Sequence, residues 1–130
     1  MFVDSVYWIA SKYKNDQWHT NAQKLKEKLK QADQIYITDY IMVETYNFLL
    51  RKITGKVALD TLEMFLTSPK IQIFYNNSVI LNSSKKILRK HPHLSLTDVN
   101  IVWHCRNVKA TNILSFDEGF DSVEDIERIY

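Results

Sequence analysis

The chain has 130 residues, of which 45% are hydrophobic and 25% charged, so its length and composition fit one globular domain with a sizeable core. The formal net charge of +2 is too small to indicate nucleic-acid binding, and the single cysteine excludes an internal disulfide. No apolar run reaches the roughly 18 residues that cross a bilayer, and the first residues lack the pattern of a signal peptide. We therefore expect a single cytoplasmic domain over residues 1–130, without membrane association.

The first half of the chain predicts two strands, each followed by helices. The strands are short apolar runs, and the helices show apolar residues at a spacing of three or four. The expected elements are a strand at Phe2–Asp4, a helix capped by Ser5, a helix from Asn15 or Asp16 to about Ala32, a strand at Ile35–Ile37, and a helix capped by Thr38 and ending near Gly55.

The second half repeats the alternation of strands and helices. The expected elements are a helix from Lys56 to about Thr67, a strand at Ile71–Tyr75, a helix from Asn76–Ser78 to near His91, a helix that begins at Ser95, a strand that includes Ile113, Leu114 and Phe116, and a closing strand at Ile126–Tyr130. Strands that alternate with helices favour a parallel sheet with helices on both faces. The fold class is therefore α/β.

Four acidic residues stand where such a fold can bring them together. Asp4 and Asp117 follow apolar strands, and ligands of open α/β sheets bind at the carboxyl ends of strands. Asp98 lies in the first turn of a helix that Ser95 can cap, and Glu44 lies in an apolar helix. Carboxylate oxygens are the ligands that Mg²⁺ prefers, and clustered carboxylates repel one another without a cation. A metal-dependent phosphodiesterase is one function of such a cluster.

Each acid also has a purely structural interpretation. Asp98 can be the acidic member of a capping box with Ser95. Asp117 begins a turn that contains glycine, where aspartate is common, and Asp4 can be a turn acid as well. Glu44 is harder to explain in this way, because apolar residues such as Ile41 and Phe48 share its helical face.

Four short motifs, in order, make the chain resemble the PIN-domain proteins. They are FVDS, YITDYIMVETYNFL, SLTD and SFDEGF, and each carries one of the four acids. The likeness covers nearly the whole chain and is greatest to the single-domain ribonuclease toxins of the VapBC type. Val99 stands where the family often has alanine, and Ala110 stands where it usually has glycine.

The resemblance implies a three-layer α/β/α fold with a short, mainly parallel central sheet. It implies a ribonuclease dependent on Mg²⁺ or Mn²⁺, with metal ligands at Asp4, Glu44, Asp98 and Asp117. It also implies an RNA substrate, a small cognate antitoxin and a homodimer. Two other functions stay open: a PIN nuclease that matures RNA or acts on DNA, and an RNA-binding module without catalysis.

Other residues are candidates for supporting roles. Ser5, Ser115 and Asp121 lie beside the proposed ligands in the sequence, and Ser115 matches a hydroxyl residue that is usual in the family two positions before the last aspartate. Lys12 and Lys14 follow the helix that leaves Asp4, and they are the best placed of the lysines to hold an RNA backbone.

The remaining chemically active residues show no pattern of a second site. The four histidines have no zinc-ligand spacing, so we expect surface histidines, and Cys105 is expected to be a buried, inert thiol. No phosphate-binding G-x-x-x-x-G-K-[ST] loop or G-x-G-x-x-G turn is present, which argues against nucleotide hydrolysis and dinucleotide binding.

Overall fold

The computed structural model describes all 130 residues, which form five strands, six α-helices and one 3-10 helix. The strands are β1 (Phe2–Val3), β2 (Ile35–Thr38), β3 (Ile71–Phe74), β4 (Asn112–Leu114) and β5 (Glu127–Ile129). The helices are α1 (Ser5–Lys12), α2 (His19–Gln31), α3 (Asp39–Lys52), α4 (Gly55–Thr67), α5 (Ser78–Lys90) and α6 (Leu96–Val108), and the 3-10 helix spans Glu118–Ser122.

The sheet is parallel throughout, with the strand order β3-β2-β1-β4-β5. Its centre is the two-residue strand β1, in which Phe2 pairs with Tyr36 on one side and Ile113 on the other. Helices α1 to α4 pack in a chain of neighbours, and α5 packs on α6. The three-layer α/β/α arrangement expected from the sequence is therefore confirmed.

The core explains why the central strands are apolar on both faces. Phe2, Val3, Ile37 and Ile113 have no exposed surface, as expected for strands covered by helices on both sides. Cys105 is also fully buried, and burial raises the pKa of its thiol to about 12, so it is an inert core residue. None of the six helices has the length and apolar character that a membrane crossing requires.

Several helix boundaries differ from the sequence-based expectation by a few residues. The cap of α1 is Asp4 rather than Ser5, because the Asp4 carboxylate accepts the Ser5 N–H. Helix α2 begins at His19 instead of Asn15 or Asp16, because the Asp16 carboxylate accepts the Trp18 N–H and closes a turn there. Thr38 caps α3 as expected, but α3 ends at Lys52.

The expectation of surface histidines is wrong for two of the four. His91 and His104 are buried, whereas His93 is exposed and His19 is half-buried. The ring of His104 packs near Phe74 and Trp103, and its Nε2 lies 3.1 Å from Oδ1 of Asn76. Burial lowers the pKa of both His91 and His104, which favours the neutral imidazole.

Candidate active site

The carboxyl ends of β1 and β4 bring two of the predicted acids to one edge of the sheet. Val3 pairs with Leu114, so the residues that follow these strands leave the sheet side by side. The backbone N–H of Asp4 donates to the Leu114 carbonyl at 3.0 Å and extends this pairing by one residue. Asp4 then caps α1, and the segment from Ser115 to Asp117 runs past it.

Asp4 is almost fully buried and is held by two serines. Its Oδ2 accepts the hydroxyl of Ser115 at 2.7 Å, and its Oδ1 accepts the N–H of Ser5 at 2.7 Å and the Ser5 hydroxyl at 3.3 Å. Burial raises the pKa of Asp4 to about 7, and the negative charges of Asp98 and Glu44 act in the same direction. The hydrogen bonds from the serines oppose this rise, because they favour the charged carboxylate.

Asp98 is buried at the start of α6, where it completes a capping box. Its Oδ2 accepts the N–H of Ser95 at 2.9 Å and the Ser95 hydroxyl at 2.6 Å, while the N–H of Asp98 donates back to Ser95 at 3.1 Å. Burial raises the pKa of Asp98, and the charge of Asp117 adds to the effect. Only one carboxylate oxygen serves the cap, so the capping role leaves Oδ1 of Asp98 without a protein donor.

Asp117 and Glu44 are exposed, in contrast to the other two acids. Oδ1 of Asp117 caps the 3-10 helix by accepting the N–H of Gly119 at 2.8 Å, and the N–H of Asp117 donates to the Ser115 hydroxyl at 3.0 Å. A Cβ atom at position 119 would lie 3.0 Å from that carboxylate oxygen, so glycine lets this turn fold tightly. Glu44 lies on the solvent side of α3, close enough for its charge to affect Asp4.

None of the four acids has a cationic partner. The four salt bridges of the protein join other residues: Glu27 with Lys30, Asp60 with Lys56, Asp125 with Arg106, and Asp121 with Arg128. The four acids are instead linked by mutual repulsion, of Asp4 with Asp98 and Glu44, and of Asp98 with Asp117. Such repulsion between carboxylates is relieved when a cation binds near them.

The carboxylates suit a hard divalent cation chemically, but they are not gathered around one point. No group of three or more Asp, Glu, His or Cys side chains is placed to hold a metal ion together. Asp4 is fixed by three hydrogen bonds, whereas Glu44 accepts none and Asp117 accepts one. Oxygen donors without cationic partners fit Mg²⁺ or Mn²⁺, and the two exposed acids have the freedom to turn toward such an ion.

The residues predicted to support the site have three different environments. Ser5 and Ser115 both donate hydroxyl hydrogen bonds to Asp4. Asp121 instead forms two bonds of 2.7 Å with the guanidinium of Arg128, which hold its pKa below the usual value. Lys12 is the last residue of α1, about 12 Å along the helix from Asp4, and Lys14 lies beyond it.

A neighbouring polar network was missed from the sequence. The carboxylate of Asp39 accepts hydrogen bonds from the backbone N–H and the side-chain amide of Asn76, and Asn76 contacts the buried His104. Asp39 follows β2 and Asn76 lies just after β3, so polar residues directly after strands were the available signal. The meeting with His104 depends on how α6 crosses the sheet, which no local pattern reveals.

Comparison with known proteins places the chain in a family context. The sequence model of the PIN domain family matches residues 1–126. No curated protein sequence matches the chain significantly.

Three solved structures share the fold. VapC20 of Mycobacterium tuberculosis, described as a sarcin–ricin loop cleaving toxin, is 19% identical with a TM-score of 0.83, over 97% of this chain and 96% of its own. A toxin–antitoxin complex from Klebsiella pneumoniae gives 12% identity and a TM-score of 0.70, over 97% and 94% of the two chains. VapBC2 of Rickettsia felis, bound to a DNA fragment from its promoter, gives 14% and 0.66, over 98% and 96%.

Proposed function

Because this chain belongs to the PIN-domain family, we propose that it is a metal-dependent endoribonuclease and the toxin of a toxin–antitoxin pair. The observation that carries the proposal is a set of four acids whose charges act on one another, with two buried and none paired with a cation. The reaction is hydrolysis of an RNA phosphodiester bond, in which water attacks phosphorus and the leaving oxygen departs.

In this proposal Asp4, Glu44, Asp98 and Asp117 hold Mg²⁺ or Mn²⁺. When bound, such an ion neutralises the carboxylates, activates water and stabilises charge on the reacting phosphate. The surrounding residues hold the two buried carboxylates in place. Ser115 and Ser5 orient Asp4, the capping box orients Asp98, and the exposed Glu44 and Asp117 face the solvent from which RNA arrives.

The antitoxin and the cytoplasmic location belong to the same proposal. Support for a protein partner comes from the Klebsiella and Rickettsia relatives, which are a toxin–antitoxin complex and a VapBC pair. We expect the partner to be a small protein encoded beside this one. Expression of the chain alone should arrest growth, and co-expression with that neighbour should relieve the arrest.

A homodimer is the further expectation from the family, and the surface offers apolar area for one. The aromatic residues Tyr7, Trp8 and Phe65 are core residues and are not available for contacts. On α3 and α4 the large exposed aliphatic residues are Val43 and Leu50, and Leu59 and Leu66, and the members of each pair lie two helical turns apart. Analytical ultracentrifugation of the parent and of the double variant Leu59→Glu, Leu66→Glu would test whether the exposed side of α4 joins two copies of the chain.

The activity is tested by cleavage of a panel of RNAs. The panel should include a sarcin–ricin loop hairpin, a single-stranded oligoribonucleotide and a matched DNA strand, each with Mg²⁺, Mn²⁺ or EDTA. We expect cutting of RNA that needs a divalent cation. Cutting of DNA alone would favour the alternative nuclease, and tight RNA binding without cutting would favour the binding module.

A further inference from the structure

Trp18 forms an aromatic stack beside the carboxylates. Its indole lies on the ring of Phe116 with centroids 5.2 Å apart and planes 11° from parallel. Phe116 is buried, whereas Trp18 is 36% exposed. Phe116 covers one face of the indole, so the exposed part of Trp18 lies elsewhere on the residue.

The stack rests on the segment that holds the candidate site. Phe116 stands between Ser115, whose hydroxyl bonds to Asp4, and Asp117. Tyr7, in the first turn of the helix that Asp4 caps, packs on Phe116 with ring centroids 6.5 Å apart. The ring of Phe116 therefore separates Trp18 from the segment Ser115–Asp117, which contains Asp117 and is hydrogen-bonded to Asp4.

Hydrogen bonds hold the backbone of Trp18 in place, in addition to the stack that orders its ring. Its N–H donates to the Asp16 carboxylate at 2.8 Å, and its carbonyl accepts the N–H of Ala22 at 2.8 Å. His19, the next residue, places Nδ1 2.7 Å from the Ala10 carbonyl and ties the turn to α1. An aromatic ring that is ordered in advance loses little conformational entropy when a second ring stacks on it.

We propose that Trp18 is a stacking platform for a nucleobase of single-stranded RNA next to the bond that is cut; this inference rests on the proposed function. The acids at this edge have no cationic partners and repel phosphates until a cation neutralises them, so a contact that does not depend on charge strengthens RNA binding there. Stacking of a base on an aromatic side chain is such a contact, because every base has a flat π-face.

The test is binding of 12-residue oligomers to variants made in an Asp98→Asn background, where cutting does not interfere. The probes are oligoadenylate and an abasic ribose-phosphate oligomer of the same length. Trp18→Leu removes the π-face but keeps an apolar residue on Phe116, and we expect it to weaken oligoadenylate binding about 5- to 100-fold. Trp18→Phe should retain most of the affinity, and Trp18→Leu should leave binding of the abasic oligomer unchanged.

Two results would overturn the platform. One is an equal loss of affinity for the abasic oligomer, since it would mean that Trp18 only shapes the surface. The other is unchanged binding of oligoadenylate, and if Trp18→Leu then weakened association with the antitoxin, the indole would be a protein contact instead. Thermal unfolding of Trp18→Leu and Trp18→Phe side by side controls for lost folding.

The experiment tests the stacking role of Trp18 independently of the proposed nuclease activity. Binding is measured without cutting, so a base-selective loss in Trp18→Leu supports the platform even when the parent cuts no RNA. Conversely, if the parent cuts RNA and Trp18→Leu binds oligoadenylate normally, the proposed nuclease function stands and the stacking role of Trp18 is wrong.

Discussion

Ser115 and Asp4 lie 111 positions apart in sequence, yet the serine hydroxyl donates a 2.7 Å hydrogen bond to Oδ2 of the aspartate. The same hydroxyl accepts the N–H of Asp117 at 3.0 Å. One oxygen atom thus connects the acid after the first strand with the acid after the fourth. It is buried, so water does not easily replace it.

Loss of this hydroxyl should change how the activity depends on pH. The Ser115 bond holds the pKa of Asp4 down, so Ser115→Ala should raise that pKa beyond about 7. We expect the acid limb of the pH–rate profile to move to higher pH and the rate at pH 7 to fall roughly 10- to 100-fold. Ser84→Ala is the matched control, because Ser84 is buried but bonds only to Ile80 in its own helix. An acid limb that stays in place would contradict this role for Ser115.

Neutralising either buried acid should abolish most RNA cleavage. Asp4→Asn and Asp98→Asn keep a side-chain oxygen for the N–H groups of Ser5 and Ser95, so the helix starts should survive. We expect rates to fall by more than about 100-fold, with unchanged circular dichroism. The control is Asp33→Asn, an exposed acid before β2. Parental activity in both site variants would eliminate the proposed site.

Asp117 should matter for metal binding rather than for stability. It is exposed, it has no cationic partner, and asparagine caps a helix as well as aspartate does. In EDTA we expect Asp117→Asn to be as stable as the parent or slightly more stable. Excess Mn²⁺ should stabilise the parent, by about 2.7 kcal/mol at 100 times Kd, and the variant much less. Thermal unfolding with and without metal measures both effects, and a variant that unfolds early in EDTA would argue for a structural role.

The raised pKa of Asp4 predicts a specific dependence of stability on pH in EDTA. The folded protein holds the Asp4 proton up to about pH 7, whereas the unfolded chain releases it near the ordinary value of 3.8. Unfolding therefore releases a proton in this window, and the contribution of Asp4 to stability is lost as pH rises from about 4 to 7. Relative to Asp4→Asn, the parent should lose on the order of a few kcal/mol between pH 4 and 8. Urea unfolding at several pH values measures the difference, and parallel curves would show that Asp4 titrates normally.

Lys12 at the end of α1 and Lys14 beyond it give a test of RNA-backbone binding away from the acids. Lys12→Ala with Lys14→Ala should weaken RNA binding similarly for all sequences and reduce its salt dependence. The matched control is Lys85→Ala with Lys86→Ala, a pair of exposed lysines on α5. Equal salt slopes in the parent and the first variant would mean that Lys12 and Lys14 only solvate the surface.

The sequence predicted the order of strands and helices because the relevant signals are local. Apolar runs such as Ile35–Ile37, caps such as Thr38 and the serine before α6 act within a few residues. The capping interpretation of Asp98 is confirmed, and it coexists with a place beside Asp4.

What could not be predicted depends on contacts between distant elements. The burial of His91 and His104 follows from packing of α5, α6 and the turn after β4. The residues next to these histidines in the sequence do not indicate it. Glu44 has apolar neighbours along α3, yet it faces solvent because the apolar character of that helix extends around most of its circumference. The stack of Trp18 on Phe116 joins residues almost a hundred positions apart and likewise has no local signal.

The position of β1 at the centre of the sheet sets the time at which the site can form. Its neighbour β4 lies at residues 112–114, so a chain emerging from the ribosome exposes Asp4 long before Ser115 and Asp117 exist. Long-range strand pairing of this kind is slow compared with local helix formation. A nascent chain therefore carries Asp4 before the other members of the proposed site have been made. Under the proposed function, RNA cleavage would therefore have to wait until β4 has paired with β1.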